Sequence, residues 1–201
     1  MLAHLTALIV PPLCQACRAP VAAGRGLCGG CAAELRWLPR TAGFPWAPVV
    51  FDGPARSLVH ALKLAGRPGV AGVMAAHIAA NAPPGFLAEG TLVPAPAHPG
   101  RARRRGFDQA AVLARHLGGR TGLPVRQVLI RDPRAARQVG HGRHARLSRD
   151  LGITVRAGIP GRVVLVDDVC TTGATLAACA RALLEAGAES TAAVTYARVL
   201  G

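Results

Sequence analysis

Val163-Val164-Leu165-Val166-Asp167-Asp168-Val169-Cys170-Thr171-Thr172-Gly173-Ala174-Thr175 is the stretch on which the reading of this chain turns. Four consecutive branched apolar residues predict a buried strand of a parallel sheet. Two carboxylates follow at its C-terminal end, then a short Thr/Gly loop, then a helix rich in Ala and Leu. Open α/β sheets bind ligands at that edge. A loop of small residues entering a helix turns backbone N–H groups and the positive helix end toward an anion. Thr171, Thr172 and Thr175 add hydroxyl donors. Asp167 and Asp168 would repel that anion, so they face something else, such as sugar hydroxyls or a hydrated divalent cation. The ligand so described is a phosphorylated sugar. A phosphate loop of the GxxxxGK[ST] type is excluded, because no such string occurs.

Outward from this motif the chain predicts an α/β fold with a mainly parallel sheet flanked by helices. Val49 to Phe51 predicts a short strand, Pro54 to Leu64 a helix, and Gly69 to Ala80 a second, Ala-rich helix. Thr91 to Pro94 opens the sheet proper, and the prolines around Ala95 predict a rigid, extended exit whose amides could meet an anion. Helical spacing returns from Phe107 to Leu117. Arg126 to Ile130 and Ile153 to Val155 read as strands. The motif strand is expected over Arg162 to Val166, its helix over Ala174 to Ala186 with Gly187 as the stop, and a last strand over Thr191 to Tyr196. Three parts are expected: residues 1–45 as a metal-binding segment, 46–90 as a helical hood, and 91–201 as the α/β domain.

Cys14-x2-Cys17 and Cys28-x2-Cys31 carry the metal expectation. Each pair can grip one ion from a tight turn, and four thiolates close a tetrahedral structural Zn²⁺ site. In a reducing compartment disulfides are disfavoured; a redox-active dithiol pair is the alternative. Loss of the metal is expected to unfold this segment alone. Cys170 and Cys179 read as packing thiols, and Trp37 and Trp46 as packing at the junction after the knuckle.

The 201 residues carry 24 basic and 10 acidic side chains, a formal charge of +14. From Arg101 to Arg162 there are fifteen Arg and three Asp, a net of +12, whereas Lys63 is the chain's one lysine. Such a field attracts polyphosphates or nucleic acid. For single-stranded DNA, stacking aromatics are expected as well, and they lie outside the Arg-rich stretch. No apolar run reaches transmembrane length. The apolar start, Leu2 to Val10, has no basic leader and reads as a short docking helix, so the chain is expected in the cytoplasm.

The motif stretch closely resembles the phosphoribosyl-pyrophosphate (PRPP) signature of type I phosphoribosyltransferases. The resemblance implies that Asp167 and Asp168 hold the ribose hydroxyls and act in catalysis, while Thr171, Thr172, Gly173, Ala174 and Thr175 cradle the 5′-phosphate. It widens with the CxxC…CxxC head, Leu62-Lys63-x-x-Gly66, Val93-Pro94-x-Pro96-x-His98 and Arg105-Gly106-Phe107-Asp108-Gln109-Ala110. In this order, these strings are similar to the ComF/GntX-like family over nearly the whole chain. That family is associated with natural competence, DNA uptake and DNA utilisation. By this resemblance Ala95, Pro96, Ala97 and His98 form a pyrophosphate loop, and residues 131 to 146, with Arg137 and Gln138, form a flexible loop. Arg101, Arg103, Arg104 and Arg105 would neutralise the pyrophosphate, with Mg²⁺ accompanying PRPP. The family usually has Asn where this chain has Asp108, and its Arg-x-Asn string is blurred into Arg143 to Ser148. Phosphoribosyl transfer to an unidentified acceptor is the activity implied. A PRPP sensor without turnover, and a DNA-handling accessory contacting single strands or uptake proteins, are the alternatives; a homodimer is compatible with all three.

Overall fold

The computed structural model describes residues 12–41, 43–65, 68–132 and 151–200. Helix α1 is Gly29–Ala33, α2 Gly53–Ala65, α3 Pro68–Asn81, α4 Pro99–Arg105, α5 Gln109–Thr121 and α6 Ala174–Glu185. The strands are β1 (Val49–Val50), β2 (Thr91–Pro94), β3 (Leu129–Arg131), β4 (Ile153–Val155), β5 (Arg162–Cys170) and β6 (Ser190–Arg198). The main sheet has the order β1-β6-β5-β2, and every neighbouring pair in it is parallel.

Strand periodicity sorts the apolar residues onto two faces. On one face Leu92, Val164, Val166, Val194 and Tyr196 pack with Leu58 and Leu62 of α2, Val70 and Met74 of α3, and Leu113 and Leu117 of α5. On the other, Val93, Val163, Leu165 and Ala193 meet Leu176, Cys179 and Leu183 of α6 with Leu129 and Ile153. Both faces of β5 are therefore covered, which is why its residues 163–166 are continuously apolar and not alternating.

Three local expectations need correction, and one helix was not anticipated. The motif strand does not stop at Val166: its ladder with β6 runs on to Cys170 opposite Arg198, so both acidic residues lie inside the strand. Residues 99–105, to which the sequence reading gave no element, form α4. Pro99 suits the first turn of a helix, where its missing N–H costs nothing. β3 begins three residues later than expected and pairs antiparallel with β4 in a separate two-stranded sheet, not in the main one. The cysteine-bearing segment also has no core of its own. Cys14, Leu27, Cys31 and Leu35 belong to the same buried cluster as α3 and β6, so isolated unfolding of that segment does not fit the packing.

Trp46 is buried, adds backbone hydrogen bonds beside β6 and donates its indole N–H to the Pro39 carbonyl at 3.2 Å. Trp37 is half exposed and meets the His77 ring edge-on at 5.3 Å. Cys170 and Cys179 are both buried. Among the described residues no helix is long and apolar enough to cross a membrane; the apolar start lies outside them.

Candidate functional site

Because β2 and β5 run parallel, their C-terminal ends open onto the same edge of the sheet. Pro94 is in register with Val166, and Ala95 N–H donates to the Val166 carbonyl at 2.9 Å. The turn Ala95–His98 therefore lies beside the acidic pair. Alternation along β5 then separates the two carboxylates. Asp168 follows Val164 and Val166 toward the α2 face, and Asp167 follows Val163 and Leu165 toward the other.

Asp168 is 4% exposed and faces the Lys63 ammonium of α2, with Nζ 3.0 Å from Oδ2. The same Oδ2 accepts no directed hydrogen bond. The two facts are compatible: the ammonium is within ion-pair distance but off the line a hydrogen bond requires, so the contact is mainly coulombic. Asp167 is half-buried, and its Oδ1 accepts the Asp168 backbone N–H at 2.8 Å. Burial, followed by the Asp168 charge, pushes the Asp167 carboxyl well above the ordinary carboxylate range, against that N–H and the Lys63 charge.

Two pockets meet at this pair. A cup of about 50 Å³ is walled by Thr171, Thr172, Gly173, Ala174 and Thr175 with Cys170 and Asp167. Gly173 has φ +74° at the N-cap of α6, a left-handed conformation that favours glycine, and its N-cap makes no side-chain hydrogen bond. The first-turn amides of α6 thus lack a side-chain cap at that residue; Thr172 Oγ1 lies 3.4 Å from the Ala174 amide. The second pocket, about 160 Å³, is lined by Lys63, Ala95, Pro96, Ala97, His98, Arg105, Asp108, Gln109, Arg131, Asp167, Asp168 and Thr175. Asp167 and Thr175 line both, so the two halves form one continuous groove.

Of the four expected arginines, Arg105 reaches this groove, donating to Gln109 Oε1 at 3.0 Å. Arg103 and Arg104 are exposed on α4, and Arg101 lies on the same helix. Arg137 and Gln138 lie outside the described residues. Two residues to which the sequence reading gave no individual site role also line the groove: Lys63, the one lysine and part of the Leu62-Lys63-x-x-Gly66 string, and Arg131, the first residue of the expected flexible loop. The signal for Lys63 was its uniqueness in a chain that otherwise writes every cation as Arg. Asp108 caps α5 through Oδ1 to the Ala111 amide at 3.1 Å. Its Oδ2 accepts the Ala97 amide at 3.3 Å. One carboxylate thus ties the turn Ala95–His98 to the start of α5, and the Ala97 amide is already engaged.

A larger cleft, about 430 Å³, lies between the cysteine segment and α3, lined by Gln15, Arg25, Val73, His77 and Arg120 among others. Size alone would favour it. The converging threonines, acidic pair and cations make the smaller groove the candidate site instead.

The four cysteine sulfurs lie within 4.8 Å of one another, with Cys17 Sγ 3.7 Å from Cys28 Sγ. That is near the sulfur–sulfur edge of a tetrahedron with Zn–S bonds of about 2.3 Å, and far from the ~2.05 Å of a disulfide. The Cys31 amide approaches Cys28 Sγ at 3.5 Å, a donor that favours thiolate. At Cys14, burial raises the thiol but amide donors from Cys17, Cys28 and Ala16 outweigh it, and the thiol falls to about 6. Burial, reinforced by the neighbouring thiols, pushes Cys31 up. The donor set fits Zn²⁺, with all four positions filled by protein, so the ion supplies structure.

Comparison with known proteins agrees with both parts. Residues 5–42 match the double zinc ribbon domain and residues 103–199 the phosphoribosyl transferase domain. The DNA utilization protein YhgH of Salmonella typhi is 32% identical over 219 residues, covering 91% of this chain and 95% of that protein. Those of Salmonella typhimurium and Escherichia coli K12 are 31% and 30% identical over 217 residues, with the same coverage. A zinc-ribbon head, a phosphoribosyltransferase-type sheet and full-length relatives together assign the chain to the ComF/GntX-like family.

Proposed function

We propose that this protein binds PRPP at the C-terminal edge of β5 and transfers its phosphoribosyl group to an acceptor. The observation that carries this reading is the continuous groove, with a small threonine-lined cup on one side of the acidic pair and a cation-lined pocket on the other. The spacing suits a ligand with a phosphate at one end, a pair of hydroxyls in the middle and a pyrophosphate at the other.

In this reading Thr171, Thr172 and Thr175 and the first amides of α6 hold the 5′-phosphate. Asp167 and Asp168 orient the ribose through its hydroxyls. Lys63, Arg105 and Arg131 offset charge as the bond from C1′ to the pyrophosphate oxygen breaks and the sugar becomes oxocarbenium-like; an acceptor lone pair then closes the new bond. Such a step needs charge stabilisation and exclusion of water more than a strong base. The carboxylates of Asp167 and Asp168 fit a hydrated Mg²⁺ carried by the ligand, which when bound would supply further charge neutralisation on the pyrophosphate.

Calorimetry with PRPP and Mg²⁺ tests binding, and pyrophosphate release across a panel of heterocyclic bases and amines tests turnover. Asp168→Asn should weaken PRPP by about tenfold or more, the loss of a charge-assisted contact. Unchanged affinity in that variant overturns the site. Binding without release for any acceptor would favour a sensor of PRPP.

A second reading rests on the relatives described as DNA utilization proteins and on the exposed Arg103 and Arg104 of α4: this surface contacts single-stranded DNA. A mobility shift that falls steeply with salt, and is competed by PRPP, would place both ligands on one face.

A further inference from the structure

We propose that Lys63 is a ligand-binding residue for the diphosphate half of the groove, bridging Asp168 to a pyrophosphate seated against Ala95–His98. The inference rests on the phosphoribosyl reading above and names the part of the ligand this residue selects.

Lys63 reaches the groove from α2, an element outside both the acidic motif and the turn after β2. It lines the 160 Å³ pocket together with that turn and is absent from the lining of the threonine cup. Its side chain is 26% exposed, so the Asp168 contact is not sealed from an incoming ligand. An ammonium offers three N–H donors, and the one contact seen here, 3.0 Å to Asp168 Oδ2, is not a directed hydrogen bond. Donor capacity is therefore left over on the side facing the pocket.

Charge accounting points the same way. Lys63, Arg105 and Arg131 are set against Asp108, Asp167 and Asp168. Arg105 is tied to Gln109, and Asp108 to two backbone amides. A pyrophosphate would upset this balance and demand cationic donors within the pocket. Lys63 can turn toward it while keeping Asp168 compensated, because a flexible stem with a compact head can serve two anions. A guanidinium prefers to lock one carboxylate with its fork. That difference gives a reason for a lysine at this one position of an arginine-rich chain. A purely structural ion pair would show no preference between the two ends of the ligand.

The test uses the full chain, magnesium pyrophosphate and ribose 5-phosphate as separate probes, and the variants Lys63→Met and Lys63→Arg. Lys63→Met should weaken pyrophosphate by about tenfold or more and ribose 5-phosphate by less than about threefold, the pattern of one lost charge-assisted contact. Lys63→Arg keeps the charge but prefers to lock Asp168 with its fork, so it should recover only part of the pyrophosphate affinity. Equal loss for both probes, or none for pyrophosphate, overturns the proposal. Because removing one partner of a buried pair can prevent folding, a wild-type measurement stands beside the variants. Lys63 is the chain's one lysine, so amine acetylation followed by mass spectrometry reports it alone among side chains. Pyrophosphate should slow that acetylation by about fivefold, from the occupancy it imposes, and ribose 5-phosphate should slow it less; no protection by pyrophosphate overturns the assignment. If wild type binds pyrophosphate through Lys63 but not ribose 5-phosphate, the phosphoribosyl reading falls and this one stands. If it binds neither, both fall.

Discussion

Two single side chains have consequences that can be measured directly. Asp108 accepts N–H groups from Ala111 and Ala97 on its two carboxylate oxygens, of which Asn would keep only one, and it adds one negative charge to a pocket proposed to take a pyrophosphate. Asp108→Asn can keep the helix cap but sets its NH2 group against the Ala97 amide, so it should lower stability by about 1–3 kcal/mol, and it should tighten magnesium pyrophosphate by about threefold or more through reduced repulsion; thermal denaturation reads the first effect and titration calorimetry the second. Burial of Asp167 works against its charged form. Its folded-state carboxyl sits above the unfolded value, chiefly through burial. The contribution to stability is then fully present below the ordinary carboxylate range and is lost as pH rises through the raised folded value. Asp167→Asn should accordingly raise the melting temperature by several degrees near neutral pH, with the advantage vanishing near about pH 3 where both forms are protonated. A melting-temperature difference that is flat from acid to neutral pH would contradict it. The same variant should lose affinity for ribose 5-phosphate.

At the scale of elements, the contact between the zinc ribbon and α3 depends on a missing side chain. A Cβ on Gly26 would stand 2.1 Å from Val73 Cγ2 on α3, and a short branched valine cannot swing clear. Gly26→Ala should cost about 1–3 kcal/mol, as overpacking does. Val73→Ala in the same chain should recover part of that, a coupling that a denaturation double-mutant cycle detects. How far the elements were legible follows from what each one packs against. β5 announced itself because both its faces are buried, so its apolar run is unbroken. Its last four residues were missed because Asp167 and Asp168 interrupt that run, although the ladder to β6 continues past them. α4 carries Arg at 101, 103, 104 and 105 and no apolar stripe, which left periodicity nothing to detect. The acidic pair and threonine cup were readable because their spacing is local. The Lys63–Asp168 contact spans more than a hundred residues and depends on which face of β5 meets α2, so only the rarity of lysine and the Leu62-Lys63-x-x-Gly66 string hinted at Lys63.

At the scale of the whole molecule, the ribbon and the sheet share one buried cluster. Cys14, Leu27, Cys31 and Leu35 pack with Val70 and Met74 of α3, and α3 packs in turn against Tyr196 of β6, where His77 Nδ1 lies 3.1 Å from the Tyr196 hydroxyl. Structural zinc contributes its binding free energy to folding, since the ligand set does not persist in the unfolded chain. In an appended module that energy would stabilise the module alone. Here the cluster is continuous, so metal loss removes one wall of the core that also supports α2 and, through Lys63, the acidic pair. Metal analysis should find one Zn²⁺ per chain. Chelation should lower the melting temperature of the main transition by about 10 °C or more, as expected when several kcal/mol leave a domain of this size. It should also weaken magnesium pyrophosphate, although no zinc ligand touches that pocket. Hydrogen exchange locates the effect. Lost protection should extend from residues 12–35 into α3 and reach β6, because the packing path runs that way. If α3 and β6 keep full protection while the ribbon exchanges freely, the two parts are energetically separate and the shared cluster is contact without coupling.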